Sequence, residues 1–225
     1  MHEYRSLQDI FLSNGGRVIH KWLHYFDIYE RHFRRFVGKS PTMLEIGVFK
    51  GGSLAMWQQY FGPGTQIVGI DINPDCARYA GAGIDVRIGS QDDPAFLDQI
   101  LNDYAFDIVL DDGSHRMEHL NASFDLIYDR ISPNGVYMAE DLHSCYLPRF
   151  GGGIDKKTSF METVKNKIDE LHATYVGKLE VSEFTKSTAS INVYDSIVVF
   201  EKAPQGARSH IKTGSMDLLP SDFAR

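Results

Sequence analysis

From Thr42 to Ala139 the chain repeats one pattern, a short apolar run ending in Gly, Asp or Glu followed by a longer amphipathic stretch. The runs are Thr42–Val48, Gln66–Ile72, Ile84–Ile88, Phe106–Asp111 and Gly135–Ala139, each rich in Ile, Val or Leu. Continuous apolar runs of this length read as strands buried on both faces. Between them, Gly52–Phe61, Pro74–Ala80, Pro94–Tyr104 and Glu118–Ile131 are long enough for helices, and Asn73 and Asp93 each precede a proline as helix starts do. Strict alternation of strand and helix predicts an α/β, doubly wound parallel sheet with right-handed crossovers.

After Lys156 the pattern changes. A helical stretch, Thr158–Tyr175, leads to two strand-like runs, Lys178–Thr185 and Ile191–Glu201, separated only by Lys186–Ser190. A connection that short forbids a parallel crossover, so the sheet is expected to close with an antiparallel hairpin. Before Thr42, the residues Val18, Trp22, Phe26, Tyr29 and Phe33 recur at helical spacing, and this apolar stripe packs on the domain or on a second subunit, so a homo-oligomer is expected. Trp22 and Trp57 read as core. Arg31, His32, Arg34 and Arg35 read as a solvated last turn favoured by the helix dipole, with a ligand site as the alternative. The chain thus divides into a helical extension (1–40), a domain (41–202) and a polar tail (203–225) that is loosely ordered or dresses an interface.

A length of 225 residues suits one domain with a substantial core. With 23 basic and 30 acidic side chains the formal charge is −7, which offers no global field for polyphosphate, and no nucleic-acid partner is expected. Met1–Ile10 has no apolar signal region and no window of roughly 18 residues is free of charge, so neither a signal peptide nor a membrane span is expected, and the cytoplasm is the expected compartment. Cys76 and Cys145 lack CxxC or CxxH partners and read as reduced thiols.

The first strand runs into Glu45-Ile46-Gly47-Val48-Phe49-Lys50-Gly51-Gly52-Ser53. Glycines at a strand-to-helix turn let backbone approach a ligand, and the next helix offers unpaired N–H groups. The spacing is neither GxGxxG nor a Walker motif, so the usual pyrophosphate grips are absent. Asp71 ends the second strand, where a carboxylate accepts hydrogen bonds from ribose hydroxyls. A tight structural turn is the alternative for the glycines alone. The third strand ends in Gly89-Ser90-Gln91-Asp92, placed to face an adenine ring, although Asp92 and Asp93 before Pro94 also suit a helix N-cap.

The fourth strand ends Asp111-Asp112-Gly113-Ser114-His115 and the fifth Glu140-Asp141-Leu142-His143. Both ends open at the carboxyl edge of the sheet, where carboxylates repel unless protonated or sharing a cation. A few hard oxygen donors suit Mg²⁺, whereas His115 and His143 lack the partners of a zinc site. Strand alternation prevents Asp111 and Asp112 from facing one ion together, and the Gly113 turn favours Asp112, with Glu140 and Asp141 completing the set. Loop capping and solvent exposure are the alternative for these acids.

The segments LEIGVFKGGS, VGIDI, DDGSH and EDLH resemble class I S-adenosylmethionine-dependent methyltransferases, and more narrowly the metal-dependent macrolide sugar O-methyltransferases and the related cephalosporin hydroxylase family. The resemblance spans about Pro41 to Gly152 and implies a seven-stranded Rossmann-like sheet, S-adenosylmethionine and Mg²⁺. It implies that Glu45, Gly47, Lys50, Gly51 and Ser53 serve the methionine end of the cofactor, Asp71 the ribose, and Ser90, Gln91, Asp92 and Asp111 the adenine side. It matches Asp112, Glu140 and Asp141 to metal ligands and His115 to a general base. On that reading a sugar hydroxyl, one of a vicinal pair on a small-molecule or glycan acceptor, is methylated while His115, an ion-bound carboxylate or water takes its proton. The stretch from Tyr146 to Gly153 reads as a mobile cover for the acceptor or as an inert loop. Two rival readings are a nicotinamide-dependent oxidoreductase or epimerase, which lacks its GxGxxG here, and a non-catalytic cofactor-binding accessory protein.

Overall fold

The structure, a computed structural model, describes residues 5–214. Helix α1 (Leu7–Leu12) starts at a Ser6 cap, and α2 (Tyr25–Phe33) follows a stretch without regular structure. Then come β1 (Thr42–Ile46), α3 (Gly52–Phe61), β2 (Gln66–Asp71), a 3₁₀ segment Pro74–Tyr79, β3 (Ile84–Ile88), α4 (Pro94–Asp103), β4 (Ile108–Asp111), α5 (Met117–Ile127) and β5 (Val136–Ala139). Helices α6 (Phe160–Leu171) and α7 (Glu183–Ser187) lead to β6 (Thr188–Tyr194) and β7 (Ile197–Lys202). The seven strands lie in the order β3-β2-β1-β4-β5-β7-β6, parallel except for β7, which runs antiparallel to β5 and β6.

Alternation along the strands divides one sequence between two cores. Leu44, Ile46, Val68, Ile70 and Val109 face α4, α5 and α6, whereas Met43, Ile67, Ile108, Leu110 and Met138 face α1, α2 and α3. Both faces are covered, which is why the strands read as unbroken apolar runs. The buried apolar side chains of residues 5–40 belong to the second of these cores: Tyr25, Phe26, Tyr29 and Phe33 are among them, and Tyr29 and Phe33 meet the Trp57 ring edge-on. Trp57 is fully buried.

The structure corrects three expectations. Lys178–Thr185 is not a strand: Ser182 and Thr185 form a reciprocal cap and Phe184 buries against Tyr128, so this stretch turns into α7. The hairpin connection is therefore not Lys186–Ser190 but Asp195–Ser196, with Ser196 in the left-handed region at φ 66°. Trp22 is 55% exposed, because α2 starts only at Tyr25 and the helical phase does not extend back to Trp22 or Val18.

The basic cluster is divided by burial. His32 is buried, its Nδ1 2.5 Å from Glu201 and its Nε2 2.9 Å from the Tyr194 hydroxyl, and Arg35 also reaches Glu201. It fastens α2 to the hairpin. Residues 203–214 carry no regular structure, and the remainder of the tail (215–225), like residues 1–4, lies outside the described residues. Among the described residues no helix is long and apolar enough to cross a membrane.

Candidate active site

The strand order reverses at β1, between β2 and β4, and the carboxyl ends of the parallel strands share one edge. Two cavities open there. The first, about 170 Å³, is lined by Asp71, Ser90, Gln91, Ser114 and His119; the second, about 330 Å³, by Lys21, Tyr25, Asp112, His115, Glu140 and Asp141. Gly47, Asp71 and Gly113 line both, so the glycine turn stands at their junction. Gly47 has φ 96°, and a Cβ there would fall on the Asp112 carbonyl oxygen, so β1 and β4 can close on each other only at a glycine. Asp71 pins the turn from the far side, its Oδ2 accepting from the N–H groups of Val48 (2.9 Å) and Phe49 (3.1 Å).

The nucleotide-side residues fall into two groups. Gly47, Asp71, Ser90 and Gln91 are brought together at the first cavity. Ser90 donates to Asp92, which in turn lies 3.5 Å from Nε2 of His119, while Asp93, not Asp92, caps α4. The others do not line the first cavity: Glu45, Ser53 and Asp111 are buried and Lys50 is exposed. Asp111 is fully buried beneath Gln91, accepting from Ser123 (2.6 Å) and Tyr137 (2.9 Å); burial raises its carboxyl, and these donors oppose the rise. Glu45 is likewise fully buried, accepting from Ser53 Oγ (2.9 Å) and Trp57 Nε1 (3.0 Å). Burial pushes its carboxyl up to about 7, against the pull of Lys21, Trp57 and Ser53. Gly51 opens α3 at φ 71° against the Tyr79 ring, and the exposed Lys50 lies over Phe49.

The acidic residues gather at the second cavity. Asp111 and Asp112 diverge as strand alternation requires, the first into the core and the second to the cavity. Asp112, His115 and Asp141 offer ligand atoms all within 4.8 Å of one another, with His115 Nε2 3.8 Å from both carboxylates. His115 and Asp141 both adopt φ 57°, a conformation rare outside glycine that turns their side chains toward the common focus. Buried Nδ1 of His115 has no hydrogen-bond partner among the described residues. Glu140 is fully buried just behind, held by Lys21 and by the Tyr29 hydroxyl. Burial and the Asp112 charge push the Glu140 carboxyl well up, and Lys21 opposes them. Tyr25 donates to Asp141 Oδ1 at 2.6 Å. The Tyr146–Gly153 stretch is folded down rather than open: Gly153 N–H donates to the Cys145 carbonyl at 2.9 Å, and Phe150 stands edge-on to His115.

Sequence reasoning missed Lys21, Tyr25, Tyr29 and His119. The first three come from a segment 80 or more residues before their partners, with no local motif to mark them. His119 sits one turn into α5 after DDGSH, and its spacing from Ser114, whose hydroxyl it meets at 2.9 Å, was the available signal.

A methyltransferase-domain family model matches residues 44–142. The chain is 39% identical over 220 residues to demethylmacrocin O-methyltransferase of Streptomyces fradiae, covering 90% of this chain and 54% of that protein. It is 41% identical over 143 residues to mycinamicin VI 2''-O-methyltransferase of Micromonospora griseorubida, covering 60% of this chain and 35% of the relative. It superposes on the mycinamicin-pathway methyltransferase MycE, solved with Mg, S-adenosylhomocysteine and mycinamicin VI, with TM-score 0.81 and 29% identity over 95% of this chain and 58% of that one. The chain thus spans between about a third and three fifths of the length of these relatives.

Proposed function

We propose, from the premise that this chain belongs to the class I S-adenosylmethionine-dependent methyltransferases, that it moves the methyl group of S-adenosylmethionine to a hydroxyl of a sugar with the help of Mg²⁺. One observation carries the reading: Asp112, His115 and Asp141 converge on a single focus in the cavity that joins the Gly47 turn. The donor set fits the ion, since carboxylates are its preferred protein ligands and strained backbone at Asp141 and His115 aims them inward. Asp112 and Asp141, with Glu140 behind them, would hold it.

Bound there, Mg²⁺ would supply the charge that lowers the pKa of an acceptor hydroxyl. The chain's own residues do the remainder. Asp71 and the Gly47 turn hold the ribose and methionine parts, and Ser90, Gln91 and His119 line the adenine side. S-adenosylmethionine held there would supply its methyl group to the acceptor oxygen and leave as S-adenosylhomocysteine. Nε2 of His115 takes the hydroxyl proton, a role that contributes about 10²- to 10⁴-fold. The exposed Trp22 and Phe49 give the second cavity an apolar rim, suited to an acceptor that carries its sugar on an apolar body.

In this reading residues 5–40 are part of the catalytic unit rather than an appendage, because they supply Lys21, Tyr25 and Tyr29 to the acidic site. The acceptor is a small molecule or glycan with neighbouring hydroxyls, and the enzyme works in the cytoplasm as a homo-oligomer. Thermal shift with S-adenosylhomocysteine, with NADH as control, tests the cofactor. Turnover on a panel of diol-bearing glycosides with and without EDTA tests the reaction. Methyl transfer that survives chelation overturns the metal-dependent reading.

A further inference from the structure

The acidic site contains a cation of its own. Lys21 Nζ lies 2.6 Å from Asp112 Oδ2 and also donates to Glu140 Oε1, and its side chain is only 3% exposed. The Tyr29 hydroxyl takes the other Glu140 oxygen, so both carboxylate oxygens of Glu140 are occupied from within the chain. Only Asp112 Oδ1 and Asp141 Oδ2 remain turned toward His115.

We propose that Lys21 is a positioning residue that competes with the divalent ion: its ammonium holds Asp112 and Glu140 together, and the ion gains Glu140 only by displacing it. The inference rests on the Mg²⁺-dependent reading above. Two cations a few ångströms apart on a shared carboxylate repel, and a buried amine separated from its carboxylates must either follow them or reach water. The second route is open. Lys21 sits on a stretch between α1 and α2 without regular structure, and its neighbours Val18, Trp22 and Leu23 are exposed. The anchor of this stretch lies ahead of Lys21, where the Arg17 and Val18 carbonyls and the Ile19 side chain pack so closely on Gly52 that no Cβ fits. That contact gives the stretch a fixed end at Ile19, from which residues 20–24 can swing. Displacement of Lys21 would therefore couple metal binding to the opening of the second cavity, whose wall includes His20, Lys21 and Trp22.

The test measures metal, not turnover. Isothermal titration with Mg²⁺, and Mn²⁺ as a paramagnetic substitute, compares wild type with Lys21→Met and Lys21→Arg. Competition predicts that Lys21→Met binds the ion about tenfold more tightly or better, the scale of one unit charge at this range under partial screening, and that Lys21→Arg stays near wild type. In the unmutated protein, reductive methylation of Lys21, read by peptide mass spectrometry, is expected to be slow without metal and to speed up at least severalfold when Mg²⁺ is added. Unchanged or weaker affinity in a folded Lys21→Met, or Lys21 protection that Mg²⁺ leaves unaltered, overturns the proposal. Failure of all three proteins to take up any divalent ion, with S-adenosylhomocysteine still raising the melting temperature, overturns the metal reading and the competition together.

Discussion

His115 stands equidistant from Asp112 and Asp141, its Nε2 3.8 Å from a carboxylate oxygen of each, although the two acids end different strands. Substituting either acid with its amide keeps shape and removes charge. Asp112→Asn and Asp141→Asn are each expected to lower kcat by 10²-fold or more on a glycoside substrate and to abolish Mn²⁺ binding by electron paramagnetic resonance. The melting-temperature rise with S-adenosylhomocysteine should survive in Asp141→Asn, whose carboxylate makes no contact at the first cavity. A variant that loses metal yet turns over at the wild-type rate would separate the cluster from the chemistry.

Asp71 serves two masters, the backbone of the glycine turn and the ribose proposed to lie beside it. It accepts from Val48, Phe49 and Asn73 N–H groups at 2.8 to 3.1 Å. Hydrogen bonds to a charged acceptor contribute about 1.5–3 kcal/mol each. Asp71→Ala is therefore expected to weaken S-adenosylhomocysteine binding by about 100-fold in isothermal titration. Turnover at saturating cofactor should fall much less. A loss confined to kcat, with cofactor affinity intact, would place the ribose elsewhere.

Gly47→Ala tests the closeness of β1 and β4. A methyl group there meets the Asp112 carbonyl and a φ of 96°, neither of which a small shift relieves. The expected outcome is a loss of about 2 kcal/mol or more in denaturant unfolding, together with loss of cofactor binding, since the turn borders both cavities. Gly177→Ala serves as the control, because a Cβ there meets nothing within 4 Å, its φ is not in the left-handed region, and it lies outside the cavities' lining. Equal stability of Gly47→Ala and wild type would show that the strands part readily.

The parallel half of the sheet was legible because burial on both faces leaves a one-dimensional signature. Gln66–Asp71, Ile84–Ile88 and Gly52–Phe61 lie within a residue of where periodicity and capping place them. The hairpin was legible as a pair and misplaced along the chain, since Lys178–Thr185 reads as a strand and instead leads into a helix through the Ser182 cap and Phe184 burial. At the site, alternation separated Asp111 from Asp112 before any coordinates. Nothing local could announce Lys21: its partners are 91 and 119 residues away, and a lone lysine before a helix has no pattern. Glu45 illustrates the converse limit. Its place in the glycine motif suggested a ligand contact, while its strand phase turns it to the α3 side, onto Ser53 and Trp57.

That burial makes Glu45 a pH-dependent element of stability. Its folded pKa of about 7 lies above the unfolded value near 4.5, so the native state holds the proton more tightly than the unfolded chain. Below about pH 4.5 both states are protonated and the carboxyl costs nothing. Between the two values the unfolded chain ionises first, and stability falls as pH rises, by an amount on the order of 3 kcal/mol, before levelling above about pH 7. Glu45→Gln keeps an acceptor for Trp57 and a hydrogen-bond partner for Ser53 without the charge. The difference in unfolding free energy between Glu45→Gln and wild type, measured in urea at pH 5 and pH 8, should move in favour of the variant as pH rises. Lys21 limits the gain, because its charge pulls the Glu45 carboxyl down and loses a partner when that carboxylate is removed. Were the difference flat across that interval, Glu45 would be ionised throughout, with Lys21 rather than a proton balancing it.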